Sequence, residues 1–154
     1  MTVTSETAFW LAQRWVGVKE VLGKKSNPFV LGMLQLDSSW VVDDETAWCS
    51  AFVNFICWQL RLPRSKSLAA RSWLTIGAGV SVLTSAQIGD VVILSRGALP
   101  QPDATVLKAN GHVGFFAGWS LDMNQVLVLA GNQGNMVSVD SFDKARILGI
   151  RRLI

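Results

Sequence analysis

The stretch "HVGFFAGWSLDMNQVLVLAGN", residues 112–132, decides how the chain is to be read. Two runs rich in Val, Phe and Leu flank residues 120–124, where Ser, Asp and Asn mark a five-residue loop, so the stretch reads as a β-hairpin. Pairing Trp119 with Gln125 sets Gly118 opposite Val126, Phe116 opposite Val128, Gly114 opposite Ala130, and His112 opposite Asn132. Opposed side chains have Cβ atoms about 4.5–5.5 Å apart, so the Asn132 amide oxygen can reach an imidazole N–H. That bond would fix the tautomer and leave the other ring nitrogen for a thiol. A slip of one residue would carry Asn132 to the opposite face. In this register Gly114 and Ala130 share the histidine's face, which would let a helix approach closely there.

Outward from the hairpin, "DVVILS" before it and "NMVSVD" and "RILGIRRL" after it also read as strands, divided by Gly, Asn and Asp turns. Residues 96–110, "RGALPQPDATVLKAN", form a long loop ahead of His112, and loops of that length are often functional. Before residue 80 the periodicity is helical. Ala8, Leu11, Trp15, Val18 and Leu22 predict a helix from about Glu6 to Leu22, stopped by Gly23. "KKSNP" turns the chain, and Asn27 and Pro28 cap and open a second helix through about Leu36. A third helix is expected from Thr46 as cap to about Leu60, with Phe52, Ile56 and Leu60 on one stripe. Ser67 caps a short fourth helix that Gly77 closes. Helices first and strands second predict an α+β fold, a single domain over residues 1–154 with its N-terminal helices on a mainly antiparallel β-sheet.

The third helix begins in "ETAWCSAF", residues 45–52. With Thr46 as cap, Cys49 falls in the first turn, where free backbone N–H groups and the helix dipole favour a thiolate. Taken alone, a cysteine in this apolar setting reads as core filling, and Asn132 alone as a turn residue. The joint spacing of Cys49, His112 and Asn132 is what points to a catalytic triad. Cys57, two turns deeper on the same helix, lies about 12 Å from Cys49, too far for a disulfide. Asp43, Asp44 and Glu45 read as solvated charges before a helix, since they lack the spacing of a calcium loop. Most of the seven tryptophans are core by their helical spacing, while Trp48 and Trp119 are candidates for substrate contact.

Composition narrows the remaining classes. Fourteen Lys and Arg against eleven Asp and Glu give +3 without any block of like charge, so no nucleic-acid partner is expected, although an anionic polymer would suit. No run of eighteen apolar residues is present to insert stably in a membrane, and the first residues lack the pattern of a secretory signal. Two distant cysteines and one histidine are too few for a structural zinc site, and no metal or cofactor is expected.

With these residues in view, the chain resembles the papain-like peptidoglycan hydrolases of the CHAP and NlpC/P60 group, most of all a CHAP-like family of phages and prophages. "VKEVLGKKSNPFVL", "ETAWCSAFVNF", "AARSWLTIG", "IGDVVIL", "GHVGFF", "VLAGNQGN" and "RILGIRRL" carry the resemblance in the family's order. The chain departs from the pattern at Ile88, where a small residue or proline usually precedes "GD", and at Ala130, where CHAP domains often have an acid. The resemblance implies a papain-like fold and a cysteine peptidase or amidase cleaving an amide bond of peptidoglycan, either in a stem peptide or at the N-acetylmuramoyl-L-alanine link. It implies Cys49 as nucleophile, His112 as base and Asn132 as its orienter, with Gln133 as the alternative orienter or a substrate contact. A monomeric phage endolysin is the role implied, made in the cytoplasm and released to the wall by another protein's membrane lesion. An amidase toxin, a phage-tail lytic component and a catalytically inactive wall-binding module are the rivals.

Overall fold

In the computed structural model, which describes residues 2–23 and 25–154, the hairpin lies inside a six-stranded antiparallel sheet. The strands are β1 (Ala78–Gly79), β2 (Val91–Ser95), β3 (Gly111–Trp119), β4 (Gln125–Gln133), β5 (Met136–Asp143) and β6 (Ile147–Arg152), in the order β1-β6-β2-β3-β4-β5. Three helices precede the sheet: α1 (Ser5–Gln13), α2 (Pro28–Gln35) and α3 (Cys49–Leu60). The predicted α+β class holds, and so does each predicted strand. Only the two-residue β1 was not foreseen.

Helix α1 starts with a reciprocal pair of bonds in which Thr4 and Thr7 each satisfy the other's backbone N–H, and it ends at Gln13, nine residues short of the expected Leu22. Gly17 adopts φ +92°, and the chain then extends along the start of β5. There Gly17 donates to Val137, Val137 to Val18, and Glu20 to Asn135. A sheet edge thus captures backbone groups that the apolar periodicity had assigned to a helix. Helix α2 follows prediction, with the Asn27 side chain accepting from the Phe29 N–H and Pro28 in the first turn. Lys24 of the "KKSNP" turn lies outside the described residues. The expected fourth helix is a six-residue 3-10 segment at 70–75, with no side-chain cap from Ser67.

Helix α3 packs on one face of the sheet. Its Ala51, Phe52, Val53 and Ile56 join Val91, Ile93, Val113, Phe115, Leu129 and Val137 in the main core. Gly131 makes the approach possible, because a Cβ there would sit 2.6 Å from the Trp48 ring and 2.9 Å from the Phe52 Cβ. The opposite face carries a second apolar cluster of Val92, Leu94, Phe116, Val126, Val128, Ala130 and Ile150. Gly114 belongs to this second face, its missing Cβ leaving room for Ala130 and Val128. Close approach of the helix therefore depends on Gly131, whereas the sequence pointed to Gly114 and Ala130.

Polar groups pin the connections. Asp90, fully buried, accepts Arg152 Nε and Nη2 at 3.0 and 2.7 Å and the Gln87 N–H, tying the mouth of β2 to the end of β6. Asp44 is buried too, contrary to the solvated role expected of it. Its Oδ2 accepts from the Val21 and Asn27 N–H groups at 2.8 and 2.6 Å, holding two connecting segments together. The loop 96–110 is fastened by buried Arg71, which donates to the carbonyls of Asn110, Pro102, Asp103 and Val106. No helix among the described residues is long and apolar enough to cross a membrane.

Candidate active site

Position 49 is the first residue of α3. Trp48, not Thr46, stands at the N-cap, and no side chain caps the helix, so the backbone N–H groups at its start are left for another partner. The Cys49 sulfur lies within reach of the Val113 N–H on β3 and of the Ser50 and Cys49 N–H groups. The thiol is nevertheless only 3 % exposed. Burial pushes its pKa up, outweighing those N–H groups and the Arg96 guanidinium, which all favour the thiolate. The sequence predicted a thiolate favoured by the helix start; desolvation reverses the balance. Cys57, also a free thiol, is pushed up to about 12 by burial in the core.

His112 is 4 % exposed at the start of β3. Its Nε2 lies 2.9 Å from Oε1 of Gln133, and its ring packs at 5.4 Å on Phe142. The Gln133 amide has its orientation set by two carbonyls, since its Nε2 donates to Val128 O at 3.3 Å and to Ser138 O at 2.8 Å. Its oxygen must then accept, which places the imidazole proton on Nε2 and leaves Nδ1 with a lone pair. Burial lowers the His112 pKa, the Gln133 bond raises it, and Arg96 lowers it again while Asp140 raises it. The net direction is down, so the ring is neutral at neutral pH.

Asn132 does not hold the histidine. The hairpin pairs Phe116 with Val128 as expected, then β3 bulges so that Gly118 faces Leu127 and Trp119 faces Val126. A second bulge decides the site. Ala130 pairs with Ser138 but Gln133 with Met136, and between them Asn132 takes φ +59°. Asparagine tolerates this left-handed geometry better than most residues. The extra residue turns the Asn132 amide aside and delivers Gln133 to the imidazole. Asn132 still lines the same cleft.

The proposed substrate contacts divide similarly. Trp48 is fully buried, its ring against Gly131 and its Nε1 donating to Glu20 Oε2, so it supports the helix start and presents no surface to the cleft. Trp119 closes the far end of β3, about 20 Å along the strand from His112, packed edge-on against Phe116. Gln133 alone of the three is at the cleft.

Two adjoining depressions make up the site. The imidazole side, about 280 Å³, is bordered by His112, Asn132, Gln133, Asp140, Phe142 and Arg146. The thiol side, about 440 Å³, runs between Cys49, residues 68–70 and the two ends of the loop 96–110. Arg96 and Gly97 border both. By strand alternation His112 points to the face opposite Val113 and α3, so the thiol and the imidazole flank the end of β3, and no hydrogen bond joins them among the described residues. The sequence had singled out the loop but neither Arg96 nor Arg146. Their signal was an arginine directly after a fully buried strand and a second one just before β6. No group of three or more His, Cys, Asp or Glu is clustered to hold a metal among the described residues.

The chain matches no family model and no curated protein. Two solved structures are similar to it. NlpC1 from Trichomonas vaginalis superposes with a TM-score of 0.57 at 17% identity, over 99% of this chain and 45% of that one. NlpC2 from the same organism gives 0.58 at 18% identity, over 99% and 48%. The chain thus spans under half the length of either protein. Helices on an antiparallel sheet, with a cysteine opening the packed helix and a histidine opening a central strand, give this chain the NlpC/P60-like, papain-like fold.

Proposed function

We propose that the chain hydrolyses an amide bond of peptidoglycan by cysteine chemistry, with Cys49 as nucleophile, His112 as base and Gln133 as the residue that positions His112. The observation that carries this reading is the His112 to Gln133 bond, which commits Nε2 and leaves Nδ1 as the basic nitrogen of the ring. Both groups are neutral at rest, so His112 takes the thiol proton as the sulfur attacks the carbonyl carbon. The Val113 and Ser50 N–H groups that face the sulfur are suited to hold the developing oxyanion. Collapse of the tetrahedral intermediate passes that proton to the leaving amine. Water, deprotonated by the same imidazole, then releases the acyl group and restores the thiol. Bound peptide must bring the thiol and imidazole sides together, since each borders a separate depression.

The test is digestion of purified cell walls by the protein and by Cys49→Ala, with the released fragments identified by mass spectrometry. Loss of digestion in a variant that keeps its circular dichroism spectrum supports the reading and names the bond. Equal digestion by both removes Cys49 as nucleophile. The 3 % exposure of the thiol favours a second reading, a wall-binding module of the same fold without catalysis. In that case Cys49→Ala and the parent protein sediment equally with walls and neither releases fragments. A phage lysis role belongs to the same proposal, as does action by a monomer on the peptidoglycan of the wall, outside the cytoplasm. A holin gene beside the coding sequence favours that role, and an immunity gene favours a secreted toxin.

A further inference from the structure

Arg96 stands where the two depressions meet. It is exposed, follows directly on buried Ser95, and has no ion pair or hydrogen-bonded side-chain partner among the described residues. Its position on the chain is nonetheless fixed. Arg146 donates to Gly97 O at 3.0 Å and Ser95 O at 3.5 Å, bridging the carbonyls on either side of residue 96. One arginine is thereby spent on holding the backbone of another, whose own guanidinium stays uncommitted over the site.

A free guanidinium offers a planar fork of donors that matches a carboxylate in two parallel bonds. The imidazole side is also lined by Asp140, which accepts from the Ser138 hydroxyl at 3.2 Å and repels a second negative charge. A single carboxylate near the scissile bond fits this arrangement, and a phosphate-rich polymer does not.

We propose that Arg96 is a specificity residue that binds a free carboxylate of the substrate, next to the amide attacked by Cys49. This inference rests on the hydrolase reading above and adds the charge of the preferred substrate to it. A peptide lying across both depressions sets its carboxylate on Arg96, and its scissile carbonyl is then positioned between sulfur and imidazole. An amidated peptide at the same place leaves the guanidinium unpaired and binds less well.

The experiment compares purified walls with walls whose free carboxylates have been converted to carboxamides, using the parent protein, Arg96→Ala and Arg96→Lys. The parent is expected to digest untreated walls at least tenfold faster, and Arg96→Ala to bring that ratio to about one by slowing the untreated reaction, through KM more than kcat. Arg96→Lys retains part of the preference, because it keeps the charge and loses the fork. Calorimetry of Cys49→Ala with soluble wall peptides in the two forms reads the same preference without turnover, and adding Arg96→Ala should remove it. An unchanged ratio in Arg96→Ala, or equal slowing on both walls, overturns the inference while Cys49-dependent digestion leaves the hydrolase reading standing. Absence of digestion of any wall, together with no binding of either peptide, overturns both.

Discussion

Replacing Gln133 by Ala removes the only acceptor that His112 Nε2 has among the described residues. The imidazole N–H is then left unpaired at a site 4 % exposed, which costs about 1–3 kcal/mol. For a chain of this length that amounts to a fall of roughly 4–8 °C in Tm at the middle of the range. Catalysis should suffer more, since an imidazole free to swing loses near-attack geometry at a cost of about a hundredfold. The control is Asn132→Gly, which deletes the neighbouring amide and keeps the left-handed backbone at φ +59°. It should retain wall digestion within about threefold, because its side chain makes no hydrogen bond among the described residues. Charge gives a further check. The Gln133 bond raises the pKa of His112, so Gln133→Ala should move the acid limb of kcat/KM to lower pH. Gln133→Glu, which sets a carboxylate against the ring, should move it up. Initial rates of dye release from labelled walls between pH 4 and 9, with circular dichroism of each variant, measure all of this. If Asn132→Gly loses as much activity as Gln133→Ala, the assignment of Gln133 as the positioning residue is wrong.

Alkylation of Cys49 by iodoacetamide, followed by mass mapping to separate it from Cys57, should be slow at pH 7 and rise about tenfold per pH unit to beyond pH 8, because burial holds the thiol neutral. A plateau between pH 5 and 8 would mean a resting thiolate–imidazolium pair. Gly131→Ala should lower stability by about 2–3 kcal/mol in a urea titration, since its methyl would stand 2.6 Å from the Trp48 ring and 2.9 Å from the Phe52 Cβ. An effect under about 0.5 kcal/mol would show that α3 can withdraw from the sheet freely. Arg71→Met keeps most of the buried volume but drops four carbonyl contacts, and should bring limited proteolysis within residues 98–109 at least tenfold faster. Unchanged cleavage there would show the loop is held by something else.

Much of the fold is legible because strands announce themselves by composition and punctuation. "VVILS", "HVGFFAGW" and "QVLVLAG" are each rich in apolar strand formers and end at turn residues, and each became a strand. Cys49 at the start of α3 and His112 at the start of β3 were legible for the same reason. The α1 stripe failed because apolar residues at three- and four-residue steps also fit a chain that stops being helical at Gln13 and lies along β5; long-range hydrogen bonds, absent from any local pattern, made the choice. The thiol's pKa failed likewise, since the helix start is local and the burial of Cys49 is not.

The third site residue shows how small the missing information can be. Side chains along a strand alternate with a period of two, so the hairpin's register assigned Asn132 to the imidazole and Gln133 to the other side. One additional residue in β4, taken up at Asn132 with φ +59°, exchanges them. Both residues are carboxamides, and the replacement lengthens the reach by one methylene while drawing the amide inward, where Val128 and Ser138 hold its nitrogen. An asparagine brought to this place would lack the length to contact those carbonyls and the histidine at once. The bulge and the longer side chain therefore belong together: the backbone detour sets the amide further along β4, and glutamine spans the distance. A buried imidazole needs its N–H satisfied, and in this chain that requirement is met by a change of strand geometry that leaves no trace in the alternation of apolar and polar residues.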